Sequence, residues 1–216
     1  MAIKISFDNI MIFMTSLLPI LLGSFFIINS FFNYDFKGII WLLGLLVTAG
    51  ISMLIQKTGL ANIALHPWIK EGRAAKTDEI PTHDFCEIFE PMFPSSNITR
   101  LIDSHALFHG FTFAYLMFGN SLNTLSPGGA FLIIYAVLII IDMIYRTLKN
   151  CTDFIYGVLP GILIGAIFGF LWFLAVINIF NDGRQLVFFG IDPSVSKCKI
   201  NSLSNKTYKC TQTPVG

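Results

Sequence analysis

The chain has 216 residues, of which 54% are hydrophobic and only 12% charged, with a formal net charge of +1 and a mean hydropathy of +0.70. That balance excludes an ordinary soluble domain and belongs to a polytopic membrane protein. A near-neutral charge without basic runs interleaved with aromatics excludes an electrostatic grip on nucleic acid. Four cysteines without a Cys-x-x-Cys pair exclude a disulfide-built scaffold and a zinc ribbon.

Taken in chain order, the apolar runs predict an all-α bundle of five transmembrane helices over 10–32, 38–55, 105–122, 128–145 and 153–180. The first run follows Lys4 and is too long for a signal peptide, so it is read as a retained span. Short links at 33–37 and 123–127 make helices one and two, and three and four, antiparallel hairpins. Residues 1–180 therefore form one membrane domain, interrupted by a polar insertion at 56–104, and 181–216 form a polar tail.

In the fifth run, Gly157, Gly161, Gly165 and Gly169 recur at every fourth position. This spacing strips one helix face of side chains and predicts close approach of a neighbouring backbone.

An odd number of spans puts the insertion and the tail on opposite faces. Eight of the 14 Lys and Arg residues fall on the insertion side and six on the tail side, which points to a cytoplasmic insertion and a luminal or extracellular tail. Cys198 and Cys210 in the tail could then close a small disulfide loop in an oxidising space, or stay as two thiols. Asn205-Lys-Thr207 would be a glycosylation acceptor on the same face.

Ionisable residues inside spans are functional by default. Asp142 and Arg146 stand four apart and are expected to pair along one helix face. His105 and His109 are also four apart, a chelating spacing, but two ligands are not a metal site. Asp103 and Asp153 are the carboxylates considered for a third donor, and no metal or other cofactor is expected.

The stretch from Ser104, SHALFHGFTFAYL, resembles the second signature of the type 2 phosphatidic acid phosphatase family, a Pro-Ser-Gly/Ser-His motif leading into an aromatic-rich helix. Here Pro94-Ser-Ser96 is separated from His105 by residues 97–104. The third family signature, Arg-x5-His-x3-Asp before a glycine-repeat helix, is similar to the segment from Arg146 through Asp153 to Gly157, but Lys149 stands where the nucleophilic histidine belongs. A first-signature relic would be Lys57 with His66-Pro67.

The resemblance implies a lipid-phosphatase-like bundle with His105 as leaving-group acid, Asp153 as orienter, and Lys57, His66, Ser104, Arg146 and Lys149 around a phosphate. Without the nucleophile, phosphoryl transfer through a covalent enzyme intermediate is lost. The expected function is thus a non-catalytic structural, assembly or phospholipid-binding membrane component, in contact with membrane lipids and other membrane proteins. Two alternatives stand beside it: an active lipid phosphatase with a rearranged third motif, with Cys151 as a substitute nucleophile, and a subunit of a larger membrane complex whose resemblance is accidental.

Overall fold

The structure is a computed structural model that describes residues 7–57, 102–122, 128–148, 154–180, 183–189, 198–200 and 208–210. Its membrane part is all-helical. The helices are α1 (Phe7–Phe32), α2 (Lys37–Lys57), α3 (Ser104–Ser121), α4 (Gly128–Leu148) and α5 (Leu159–Ile179), with a π-helical turn over Phe154–Val158 leading into α5. Strands β1 (Cys198–Ile200) and β2 (Tyr208–Cys210) form a small antiparallel ribbon.

Among the described residues three helices are long and apolar enough to cross a membrane: Lys37–Ile55, Gly128–Leu148 and Leu159–Ile179. Leu17–Phe32 adds a shorter apolar stretch. The chain is therefore that of a membrane protein.

The first hairpin is built by Asp35. Its carboxylate accepts from the Lys37 N–H at 3.2 Å and from the Ser30 hydroxyl at 2.7 Å, so the end of α1 and the start of α2 share one acceptor. Tyr34 carries the turn in a left-handed conformation, with φ of 53°.

α3 is the central helix and its residues are the most enclosed. His105, Ala106, Leu107, His109, Gly110, Phe111, Thr112 and Tyr115 are all buried. α3 touches α1, α2, α4 and α5. The closest of these contacts is with α5, where the glycine repeat lies. A Cβ added at Gly161 would stand 2.8 Å from the Ala106 Cβ, and one at Gly165 would stand 2.8 Å from the Phe111 nitrogen and closer still to the Leu107 carbonyl. At Gly169 it would strike the Phe111 carbonyl. The α3 backbone thus occupies the space that side chains would need, and attraction between the two helices comes from close van der Waals packing. Gly157 plays a different part, because its carbonyl accepts from the Asp103 N–H at 3.3 Å.

The π turn comes just before a proline. Pro160 has no N–H to donate to the carbonyl one α-turn earlier and its ring would press on that carbonyl. The wider turn Phe154–Val158 directly precedes α5, and Pro160 sits in the first turn of that helix, where its missing N–H is tolerated. The span predicted as one helix over 153–180 is continuous in effect, but its first turn is wide and Phe180 already has extended backbone.

An aromatic core fills the other end of the bundle. Phe26 packs edge-on against Trp41 with centroids 5.0 Å apart and against Phe188 at 4.8 Å, and the Trp172 indole donates to the Ile40 carbonyl at 3.0 Å. The presence of Phe188 there departs from the expected tail. Val187 and Phe188 are buried in this core, and Gly119 and Gly128 leave room for the 187–189 backbone and the Phe189 ring. The apolar run Leu186–Phe189 therefore belongs to the bundle, because it has a core to enter.

α4 is divided lengthwise. Tyr135, Asp142, Met143 and Arg146 face inward, while Ile133, Ile134, Ile140, Ile141 and Ile144 are exposed on the opposite side.

Gly165→Ala should destabilise the protein in detergent by about 1 to 3 kcal/mol, the usual cost of overpacking a close contact. Gly129→Ala, where an added Cβ meets nothing within 4 Å, is the control and should leave thermal denaturation unchanged.

Candidate metal centre

The polar residues at the start of α3 and the end of α4 are brought together by the antiparallel course of the two helices. Asp103 is the N-cap of α3, with extended backbone, and its Oδ1 accepts from the Ala106 N–H at 2.8 Å. Such a cap satisfies one of the unpaired donors of the first turn. The other carboxylate oxygen accepts from Arg146 Nη2 at 3.0 Å, and both side chains are buried. Burial alone would raise the Asp103 carboxyl, yet the Arg146 guanidinium, helped by His105 and the Ala106 N–H, holds it below the ordinary carboxylate range. One buried residue thus caps α3, ties it to α4, and through its own N–H joins Gly157 before α5.

One turn further in, His105 and His109 share the α3 face that looks at α4. Asp142 stands between them. Its Oδ2 lies 3.2 Å from His109 Nε2 and 3.7 Å from His105 Nδ1. Asp142 and His109 are 0% exposed and His105 5%. The other ring nitrogen of His109, Nδ1, lies 2.9 Å from the Tyr135 hydroxyl, two turns earlier on α4. Ala106, Met143 and Val158, with Ile139 and Ile162 packed against them, form a small apolar cluster in the same region.

The contact between His109 and Asp142 is close but lacks the alignment of a hydrogen bond. Among the described residues neither Asp142 oxygen, nor His109 Nε2, completes one. A buried carboxylate left in that state costs several kcal/mol unless something else satisfies it. Three donor atoms, one from each of His105, His109 and Asp142, lie within 4.8 Å of one another. In a tetrahedral zinc site, bonds of about 2.0 to 2.2 Å place neighbouring donors roughly 3.3 to 3.5 Å apart. The observed 3.2 and 3.7 Å bracket that separation.

The outer contacts fit as well. With Nδ1–H of His109 donating to the Tyr135 oxygen, Nε2 keeps its lone pair for a metal, the usual way in which an outer partner fixes the tautomer of a ligating histidine.

The structure thus corrects the pairing expected along α4. Arg146 does not neutralise Asp142; it reaches Asp103 on α3, and Asp142 turns to the histidines. Of the residues that the resemblance assigns to a phosphatase site, the expected leaving-group acid His105 and the phosphate ligand Arg146 are brought to the same end of the bundle, Ser104 is exposed on the first turn of α3, and Lys57 closes α2. His66, Lys149, Cys151 and Asp153 lie outside the described residues. Asp142 as the partner of both histidines and Tyr135 as the partner of His109 were not recognised in the sequence, although an aspartate inside an isoleucine-rich span was a visible signal.

The chain matches none of the protein families, curated proteins or solved structures with which it was compared.

Breaking the Asp103–Arg146 pair from one side leaves a buried charge without its partner. Arg146→Met should lower stability by about 3 to 5 kcal/mol. The double substitution Asp103→Asn with Arg146→Met should recover much of that loss, since the cap survives and no charge is stranded. Thermal denaturation of the wild type and the two variants in detergent measures both effects.

Proposed function

We propose that this protein is a membrane metalloprotein in which His105, His109 and Asp142 hold one divalent transition-metal ion inside the helix bundle. The observation that carries the reading is the buried Asp142 carboxylate, which faces two imidazole nitrogens at metal-site separations without forming an aligned hydrogen bond. A set of two nitrogens and one oxygen suits zinc, and also iron(II), and disfavours calcium or magnesium. Three protein donors are the complement of a catalytic zinc centre, in which water or substrate takes the fourth position, whereas structural centres usually supply four. A metal held by these three residues would polarise a bound carbonyl or phosphoryl oxygen and lower the pKa of bound water.

A second reading, a non-catalytic membrane component, is favoured by the near-complete burial of all three donors. In that case the ion, like the Asp103–Arg146 pair, would hold α3 to α4. The exposed isoleucine face of α4 would then meet lipid or a partner helix.

A phosphate pocket of the lipid-phosphatase kind draws less support. Arg146 is already neutralised by Asp103, and Asp142 sets a negative charge beside His105, where an anionic substrate would be repelled.

Metal analysis of the full-length protein purified without chelators should find about one equivalent of zinc or iron per chain, as expected for a mononuclear centre. Asp142→Ala and His109→Ala should each lose it while remaining in the membrane fraction. Wild-type protein free of transition metal, and unable to bind cobalt(II) added in its place, would sink the proposal. Tyr135→Phe should retain the ion but bind it about 10- to 100-fold more weakly, the usual effect of losing such an outer partner. Competition with a chelator of known affinity reads that change. If chelation lowers the melting temperature and no hydrolytic activity accompanies the metal, the structural role is the correct one.

A further inference from the structure

We infer that Cys198 and Cys210 are joined by a disulfide that staples the C-terminal hairpin, and that this hairpin lies on the oxidising side of the membrane. The first part rests on register. β1 and β2 pair antiparallel with Cys198 opposite Cys210, Lys199 opposite Lys209 and Ile200 opposite Tyr208. Sequence spacing alone leaves the two thiols anywhere within reach of a loop; the pairing makes them direct cross-strand partners. Directly opposed residues of an antiparallel pair have Cα atoms about 4.5 to 5.5 Å apart, inside the range of about 4.4 to 6.8 Å that a disulfide needs.

The hairpin also needs a staple. A two-stranded ribbon is marginal in water, and this one has only three residues in each strand. Its middle pair sets two lysines against each other, which is destabilising. Ile200 opposite Tyr208 is the remaining pair of the register. A covalent link closing a loop of this size removes much of the entropy of the open chain.

Oxidation proceeds by exchange with a disulfide-bearing oxidant, either a small disulfide or an oxidoreductase of the compartment. The thiolate of one cysteine attacks the oxidant, forming a mixed disulfide and releasing one thiol. The second thiolate then attacks the protein sulfur of that mixed disulfide and releases the other thiol. Two protein thiols and one oxidant disulfide thus become one protein disulfide and two free thiols, with two electrons passed to the oxidant.

Sidedness follows from the chain. Such oxidants persist outside the cytosol. Between the described segment ending at Phe189 and β1 the chain has only residues 190–197, with no apolar run that could recross a bilayer. The hairpin therefore shares a side with the C-terminal end of α5. The metal centre, at the start of α3 and the end of α4, sits toward the opposite, reducing side. The disulfide stands independently of the metal proposal.

The experiment uses the full chain in its native membrane. Free thiols are blocked with N-ethylmaleimide under denaturing, non-reducing conditions, and the protein is digested with trypsin. Cleavage after Lys197, Lys199 and Lys209 should yield Cys198-Lys199 joined to the tryptic peptide that begins at Cys210, a species that vanishes on reduction with the gain of two hydrogens. Cys198→Ser should leave Cys210 fully alkylated. Recovery of both peptides carrying N-ethylmaleimide, or linkage of either to Cys86 or Cys151, overturns the disulfide. A membrane-impermeant phosphine applied to sealed cells or oriented vesicles should open the bond from the exoplasmic face only. Opening from the cytosolic face overturns the sidedness.

Discussion

The fold depends on the approach of α5 to α3 along Gly161, Gly165 and Gly169. These glycines present backbone where other residues would present side chains, and the α3 carbonyls of Leu107 and Phe111 occupy the space. In a bilayer no gain from excluding water holds helices together, so shape must do so. Once α5 is seated this close, α3 is enclosed along most of its length and its first turns can carry histidines and an aspartate out of contact with lipid. The wide turn before Pro160 completes the joint, as Gly157 offers its carbonyl to the N-cap of α3.

The polar centre is an extension of that packing. Asp103 meets the backbone of α3, the side chain of Arg146 and, through its N–H, the chain entering α5. His105 and His109 then fall on the side of α3 that looks at α4, and α4 answers with Asp142 and Tyr135 from the same inward face. The charge pattern separates by function. The arginine and one carboxylate form a closed pair, and the second carboxylate is left to the imidazoles.

Much of this order was legible in the residues. The membrane character of the chain, the short first hairpin and the glycine face follow from run length and spacing, which are local properties. The partner of the glycine face was not legible, since the repeat says that something comes close without saying what. The same limit explains the misassigned ion pair: Asp142 and Arg146 satisfy the four-residue rule on α4, and only tertiary structure reveals that Asp103 competes for the arginine. Leu186–Phe189 was read with the polar tail around it because a run of four apolar residues carries no period. The structure gives it a place against Phe26 and Gly119.

The exchange of partners between α3 and α4 has a consequence for biosynthesis. Had Asp142 and Arg146 neutralised each other, α4 could enter the bilayer as a self-contained span. Instead each finds its partner on α3, so α4 leaves the ribosome with two charges that its own helix does not cancel. A charge costs about 2.5 to 3.5 kcal/mol at the middle of an inserting helix and less toward its end, where Arg146 stands, while each isoleucine returns about 0.3 to 0.6. The isoleucine-rich outer face of α4 offsets part of that cost, and the partners on α3 offset the rest once the two helices are packed. The residues that make the centre thereby also make α4 depend on α3 for its neutrality.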